Sequence, residues 1–136
     1  MPQNLNFGQQ QYCRLVTLLV GDDAIWRGIV TSQNVTPVLH FFIAAGREEN
    51  ISQWLMPKGK SLKESRWLQI VGWLIDRMII AEYKKSRIAG YLFSRHEFIH
   101  HYENQSSIQN AMSKPLPPDI QRELYKILKD HFIIVF

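Results

Sequence analysis

The run from Ser61 to Met78 constrains the fold more than any other part of the chain. Trp67, Ile70, Val71, Leu74 and Met78 recur at spacings of three and four, the stripe of one long helix facing a core. Pro57-Lys58-Gly59-Lys60 breaks the chain before it, and Ser61-Leu62-Lys63-Glu64 matches a capping box, with Ser61 as N-cap and Glu64 reaching back. Upstream, Glu48 and Glu49 open a short helix with Ile51, Trp54 and Leu55 on one face. Downstream the period changes. Ile79–Tyr83 and Ile88–Phe93 read as two short strands, joined by the basic turn Lys84-Lys85-Ser86-Arg87. Asn50 to Tyr91 therefore reads as helix, turn, long helix and hairpin.

Charge concentrates in the same region. From Lys58 to Arg95 nine basic residues face three acidic ones, a local excess of six in a chain whose net charge is +4. A localised basic field is what a nucleic-acid-binding face requires. On the long helix Lys63, Arg66, Gln69 and Trp73 share the face away from the core stripe.

Order and pattern between Asn50 and Phe93 resemble the winged helix-turn-helix superfamily. Ile51-Ser52-Gln53-Trp54-Leu55 stands where its first helix would be, Gly59 in the turn and Ser61 at the start of the second helix. Arg87-Ile88-Ala89-Gly90-Tyr91-Leu92-Phe93 stands as the returning strand of the wing. The resemblance implies a non-enzymatic regulator that binds double-stranded DNA. Lys63, Arg66 and Gln69 would then enter the major groove, and Lys58, Lys60, Lys84, Lys85 and Arg87 would meet phosphates. The expected class is mainly α with a small two-stranded antiparallel hairpin and extra N- and C-terminal helices.

The flanks complete one domain of 136 residues, with 46% hydrophobic and 12% aromatic content fitting a packed core. Residues 1–46 read as an N-terminal helical layer. Tyr12, Leu15, Val16 and Leu19 line one helix that Gly21 stops. Asp22-Asp23 cap a short helix with Ile25, Trp26 and Ile29 apolar. Thr36-Pro37 start a third, apolar nearly all round and ended by Gly46, in which His40 reads as a hydrogen-bonded core residue. Residues 47–103 form the winged-helix-like unit, with a short helix capped by Ser94 near its end. In 104–136, Asn104 to Lys114 is polar and turn-like. A last helix then places Ile120, Leu124, Ile127 and Leu128 on its core face, and an apolar tail runs to Phe136. The N-terminal helices or that tail would support a homodimer.

Two further readings stand beside the DNA-binding one. His96-Glu97-Phe98-Ile99-His100 matches H-E-x-x-H, in which His96 and His100 would hold Zn²⁺ and Glu97 would act as catalytic general base. The third ligand would come from His101, Glu103, Asp119 or Glu123. The layered helices, four tryptophans and the apolar tail also suit a protein–protein interaction adaptor. Leu116-Pro117-Pro118-Asp119-Ile120-Gln121-Arg122-Glu123-Leu124 resembles part of a ubiquitin-binding motif built around a Leu-Pro pair. Cys13 is the only cysteine, so no internal disulfide forms. Neither a signal-peptide pattern nor a run of membrane-spanning length occurs, which leads to the expectation of a cytoplasmic or nuclear protein without a membrane partner. No Gly-rich phosphate loop suggests a nucleotide cofactor.

Overall fold

The stripe after Ser61 does form a helix, but one buried on nearly all sides. The computed structural model describes residues 6–77, 79–80, 84–95 and 102–131. In chain order its helices are α1 (Phe7–Val20), α2 (Asp22–Trp26), α3 (Val35–Arg47), α4 (Glu49–Leu55), α5 (Glu64–Asp76), α6 (Lys85–Phe93), α7 (Gln105–Ser113) and α8 (Pro118–His131). No strand occurs among the described residues. No helix there is long and apolar enough to cross a membrane.

Helix α5 is the hub. Trp67, Leu68, Ile70, Val71, Gly72, Trp73, Leu74 and Ile75 are all buried. Each large apolar side chain hidden this way contributes about 1.5–3 kcal/mol. One face of α5 packs on α7, which packs in turn on α6, while α4 meets the start of α5. The other half of the molecule is built on α3, which packs against α1, α4 and α8. Phe42 joins the halves by lying against Trp67, and Phe41 does so by stacking on Trp73. Apolar side chains from α1 to α8 thus form one continuous core.

The β-hairpin wing expected at Ile79–Phe93 is overturned. Ile88 to Phe93 belongs to α6, because Ile88, Ala89, Tyr91 and Leu92 make a helical face buried toward α7. Gly90 lets the α7 residue Gln105 come close enough to donate to the Ser86 carbonyl (2.7 Å). Of the first expected strand, Ala81, Glu82 and Tyr83 lie outside the described residues. Asn104 to Lys114 is likewise no loop. Asn104 caps α7 by accepting the Ser107 N–H (2.9 Å), and Ile108, Ala111 and Met112 recur at helical spacing toward the core.

The helix starts also differ in detail. Asn6 and Gln9 form a reciprocal capping box, so α1 begins at Phe7. The box expected at Ser61 does not form. Gln11 accepts the Leu62 N–H (2.9 Å) and the Leu55 carbonyl accepts the Lys63 N–H (3.0 Å). These bonds hold the segment extended until Lys63, which becomes an N-cap without a side-chain acceptor. Lys63→Ser should therefore raise stability by about 1 kcal/mol, by supplying the acceptor and removing a cation from a helix N-terminus. Urea denaturation would check this, with a lower midpoint contradicting it.

In α3 the buried side chains are Val38, Phe41, Phe42 and Ala45, and the opposite face is open. His40 is on that open face, exposed rather than in the core, and Ile43 beside it is 40% exposed. Gly46 lies inside α3, against the ring of Tyr12, whose hydroxyl donates to the Phe42 carbonyl. Burial of that phenol raises its pKa, so the hydroxyl stays protonated as the bond requires.

Candidate functional site

The basic residues singled out in the sequence separate into two groups. Lys58 and Lys60 are exposed in the turn before α5, where the Pro57 carbonyl accepts the Lys60 N–H and Gly59 takes a positive φ of 77°. Lys63 sits at the start of α5. Lys84 and Lys85 gather at its other end, where Lys85 pairs with Asp76 at 2.9 Å. The length of α5 puts about 20 Å between the groups. Arg66 lies over the Trp54 ring (5.0 Å) and donates to the Trp54 carbonyl, while Gln69 donates to the Pro115 carbonyl (3.1 Å). Trp73, expected on a groove-facing surface, is buried between Phe41 and Tyr125 with Arg77 over its ring at 4.0 Å. What α5 leaves accessible at its start is the strip of Lys63 and Ser65, with Arg66 and Gln69 partly covered.

The zinc reading falls largely outside the described residues, where His96, Glu97, His100 and His101 lie. Of the other candidate ligands, Glu103 and Asp119 are exposed, and Glu123 accepts from Asn50 (2.8 Å). Among the described residues no group of three or more metal-ligating side chains occurs.

The surface that stands out is formed by α2 and by α6 with the residues just after it. Helix α2 ends in a tight reversal. The Ile29 N–H bonds to the Ala24 carbonyl (2.9 Å) and the Gly28 N–H to the Ile25 carbonyl (3.0 Å), with Gly28 at φ 75°. This is the Schellman arrangement, and it turns Ile29 and Val30 into the core. Trp26, the last residue of α2, is left outside with 86% of its surface exposed.

Three guanidinium groups bond to its chain neighbours, to the Asp23 carboxylate or the Arg27 carbonyl. Asp23, one helical turn before Trp26, pairs with Arg27 at 3.2 Å and with Arg95 from beyond α6. Arg87 reaches across from α6 to donate to the Arg27 carbonyl. Arg27 also lies over the Tyr91 ring (5.8 Å), and the Tyr91 hydroxyl donates to the Leu18 carbonyl (2.8 Å). The patch is thereby tied to α1, α2 and α6 together. Among these residues Arg27, Arg87 and Arg95 outnumber the carboxylates Asp22 and Asp23.

The hydrogen bond from Arg95 holds the Asp23 carboxyl below its ordinary value of 3.8, aided by Arg27 and opposed by desolvation. A carboxyl with a lowered folded pKa adds stability that is complete above the unfolded value and is lost as pH falls through the folded one. Carbon-13 titration of the Asp23 carboxyl should show a midpoint below 3.8, moved upward in Arg95→Gln. An unmoved midpoint would show that Arg95 does not hold α2.

Sequence reasoning counted Trp26 with the apolar positions of α2 and did not single out Arg27. Gly28 followed by Ile29-Val30 is the signal that α2 ends early and that Trp26 turns outward. The approach of Arg87 and Arg95 has no sequence signal, since they come from 60 and 72 positions beyond the residues they bond. Set against family models, curated proteins and solved structures, the chain shows no match.

Proposed function

We propose that the chain is a non-enzymatic protein-interaction module that engages its partner through Trp26, Arg27, Arg87 and Arg95. The observation that carries this reading is the exposure of Trp26 on a braced surface. Tryptophan and arginine are the side chains most enriched among residues that dominate binding energy at interfaces. An indole held out by a fixed helix end loses little conformational freedom on docking. The matching partner is a protein segment with an apolar pocket for the indole and carboxylates on its rim for the guanidinium groups.

A nucleic acid fits this surface less well. Duplex DNA carries a phosphate charge about every 1.7 Å and favours a continuous basic stripe. Here Asp22 and Asp23 lie among the arginines, and the lysines of the 58–63 segment stand at the opposite end of α5.

Short random peptides displayed on phage and selected on the whole chain would test the reading, alongside random-sequence duplex DNA. Selected peptides should carry apolar and acidic residues and lose at least about 30-fold in affinity for Trp26→Ala. Peptides that bind Trp26→Ala equally well would reject the interface. Salt-sensitive DNA binding without any peptide selection would favour nucleic acid as the ligand.

A further inference from the structure

The open cleft between α3 and α8, about 460 Å³, contains a pair of side chains that the Trp26 surface does not use. His40 from α3 and His131 from the end of α8 are both exposed, and their rings meet edge to face with centres 6.1 Å apart and planes inclined by 62°. Ile43, Ala44 and Ile127 give the cleft an apolar lining, with Arg47 and Glu48 at its other end. Arg47 and Glu48 lie seven and eight positions beyond His40, about 10–12 Å along the helix axis. Neither is placed to share an ion with the two rings.

The spacing comes close to what one metal ion demands of two imidazoles. A Zn²⁺–nitrogen bond is about 2.0–2.1 Å, and a ring nitrogen is about 1.1 Å from its ring centre. Two ligating rings then stand about 5.2 Å apart at the tetrahedral angle and at most about 6.4 Å. The observed 6.1 Å is about 0.9 Å longer than the tetrahedral arrangement requires, and both side chains are exposed and must rotate to close that gap. Imidazole nitrogen suits Zn²⁺, Ni²⁺ and Cu²⁺, whereas Ca²⁺ and Mg²⁺ call for oxygen.

We propose that His40 and His131 form a two-histidine site for a borderline divalent metal ion such as Zn²⁺, with water completing the coordination. The ion clamps the end of α8 onto α3. Both ligands belong to the folded state, far apart in sequence, so the ion binds the native chain in preference to the unfolded one and stabilises it.

Thermal unfolding of the whole chain with and without zinc chloride, with a chelator as control, tests the site. At a tenfold excess over its dissociation constant, zinc should raise the folding constant about tenfold and the midpoint by a few degrees. His40→Ala and His131→Ala should each melt like the metal-free wild type and lose the response, because both side chains are exposed. His96→Ala should keep it. An unchanged zinc response in His40→Ala or His131→Ala would overturn the site. So would its loss in His96→Ala alone, which moves the ion to the His-Glu-x-x-His stretch, and so would the absence of any response in the wild type.

Discussion

Gly72→Ala is expected to destabilise the protein by about 2–3 kcal/mol and to lower its melting midpoint by roughly 8 °C. The sign is the informative part. Alanine inside a helix is ordinarily favoured over glycine by about 0.5–1 kcal/mol, because glycine loses more backbone freedom on folding. At Gly72 a β-carbon would stand 1.9 Å from the Met112 carbonyl oxygen and 2.8 Å from its carbon. Both atoms are backbone of α7, so no rotamer change relieves the clash and the two helices must move apart. That movement would loosen the face of α5 carrying Ile75 and Leu68 and, through α7, the seat of α6. Thermal and urea unfolding of the purified variant measure the effect. A Gly72→Ala protein as stable as the wild type, or more so, would show that α5 and α7 do not cross there.

Trp26→Ala should have the opposite profile, a small change in stability and a large one in binding. With 86% of its surface already in water, the side chain contributes little to the core. Surface substitutions of this kind usually stay within about 0.5 kcal/mol. Truncating an indole at the centre of an interface costs about 2 kcal/mol or more, at least about 30-fold in affinity. Trp26→Phe should fall between, since it keeps an aromatic anchor but loses area and the N–H donor. Arg27→Ala would be harder to interpret, because Arg27 also pairs with Asp23 and lies over Tyr91. Titration calorimetry with a selected peptide would give the affinities, and an unfolding curve for each variant would separate lost contact from lost fold. A Trp26→Ala protein with wild-type affinity would remove the indole from the interface.

How far the sequence revealed this depends on whether an element's contacts are written in its own periodicity. Helices α1, α5 and α8 announce themselves through spacings of three and four; in α1 and α8 the buried residues are largely the expected ones, whereas α5 also buries Leu68, Gly72, Trp73 and Ile75. In α6 the string Ile-Ala-Gly-Tyr-Leu-Phe also suits a strand. Its helical state rests on α7, an element hidden behind the polar composition of Gln105–Ser113. Misreading one therefore removed the support for reading the other. The wing expectation failed at the same point, because Ile88 to Phe93 packs on α7 as a helix and no strand occurs among the described residues. His40 shows the converse. An apolar neighbourhood in sequence suggested the core, but Val38, Phe41, Phe42 and Ala45 already fill the inward face of α3. The Trp26 surface was the least accessible of all. A five-residue helix is too short to define a face by periodicity, and Arg87 and Arg95 reach it only through the packing of α6.

The most direct test of the proposed interface is an amide-shift map of the labelled chain titrated with a selected peptide. The largest shifts should fall on Trp26, Arg27 and Gly28, on residues 87–90 of α6, and on the Trp26 indole N–H. Shifts confined to the Lys58–Lys63 segment, or to the cleft around His40 and His131, with the Trp26 indole unmoved, would contradict it.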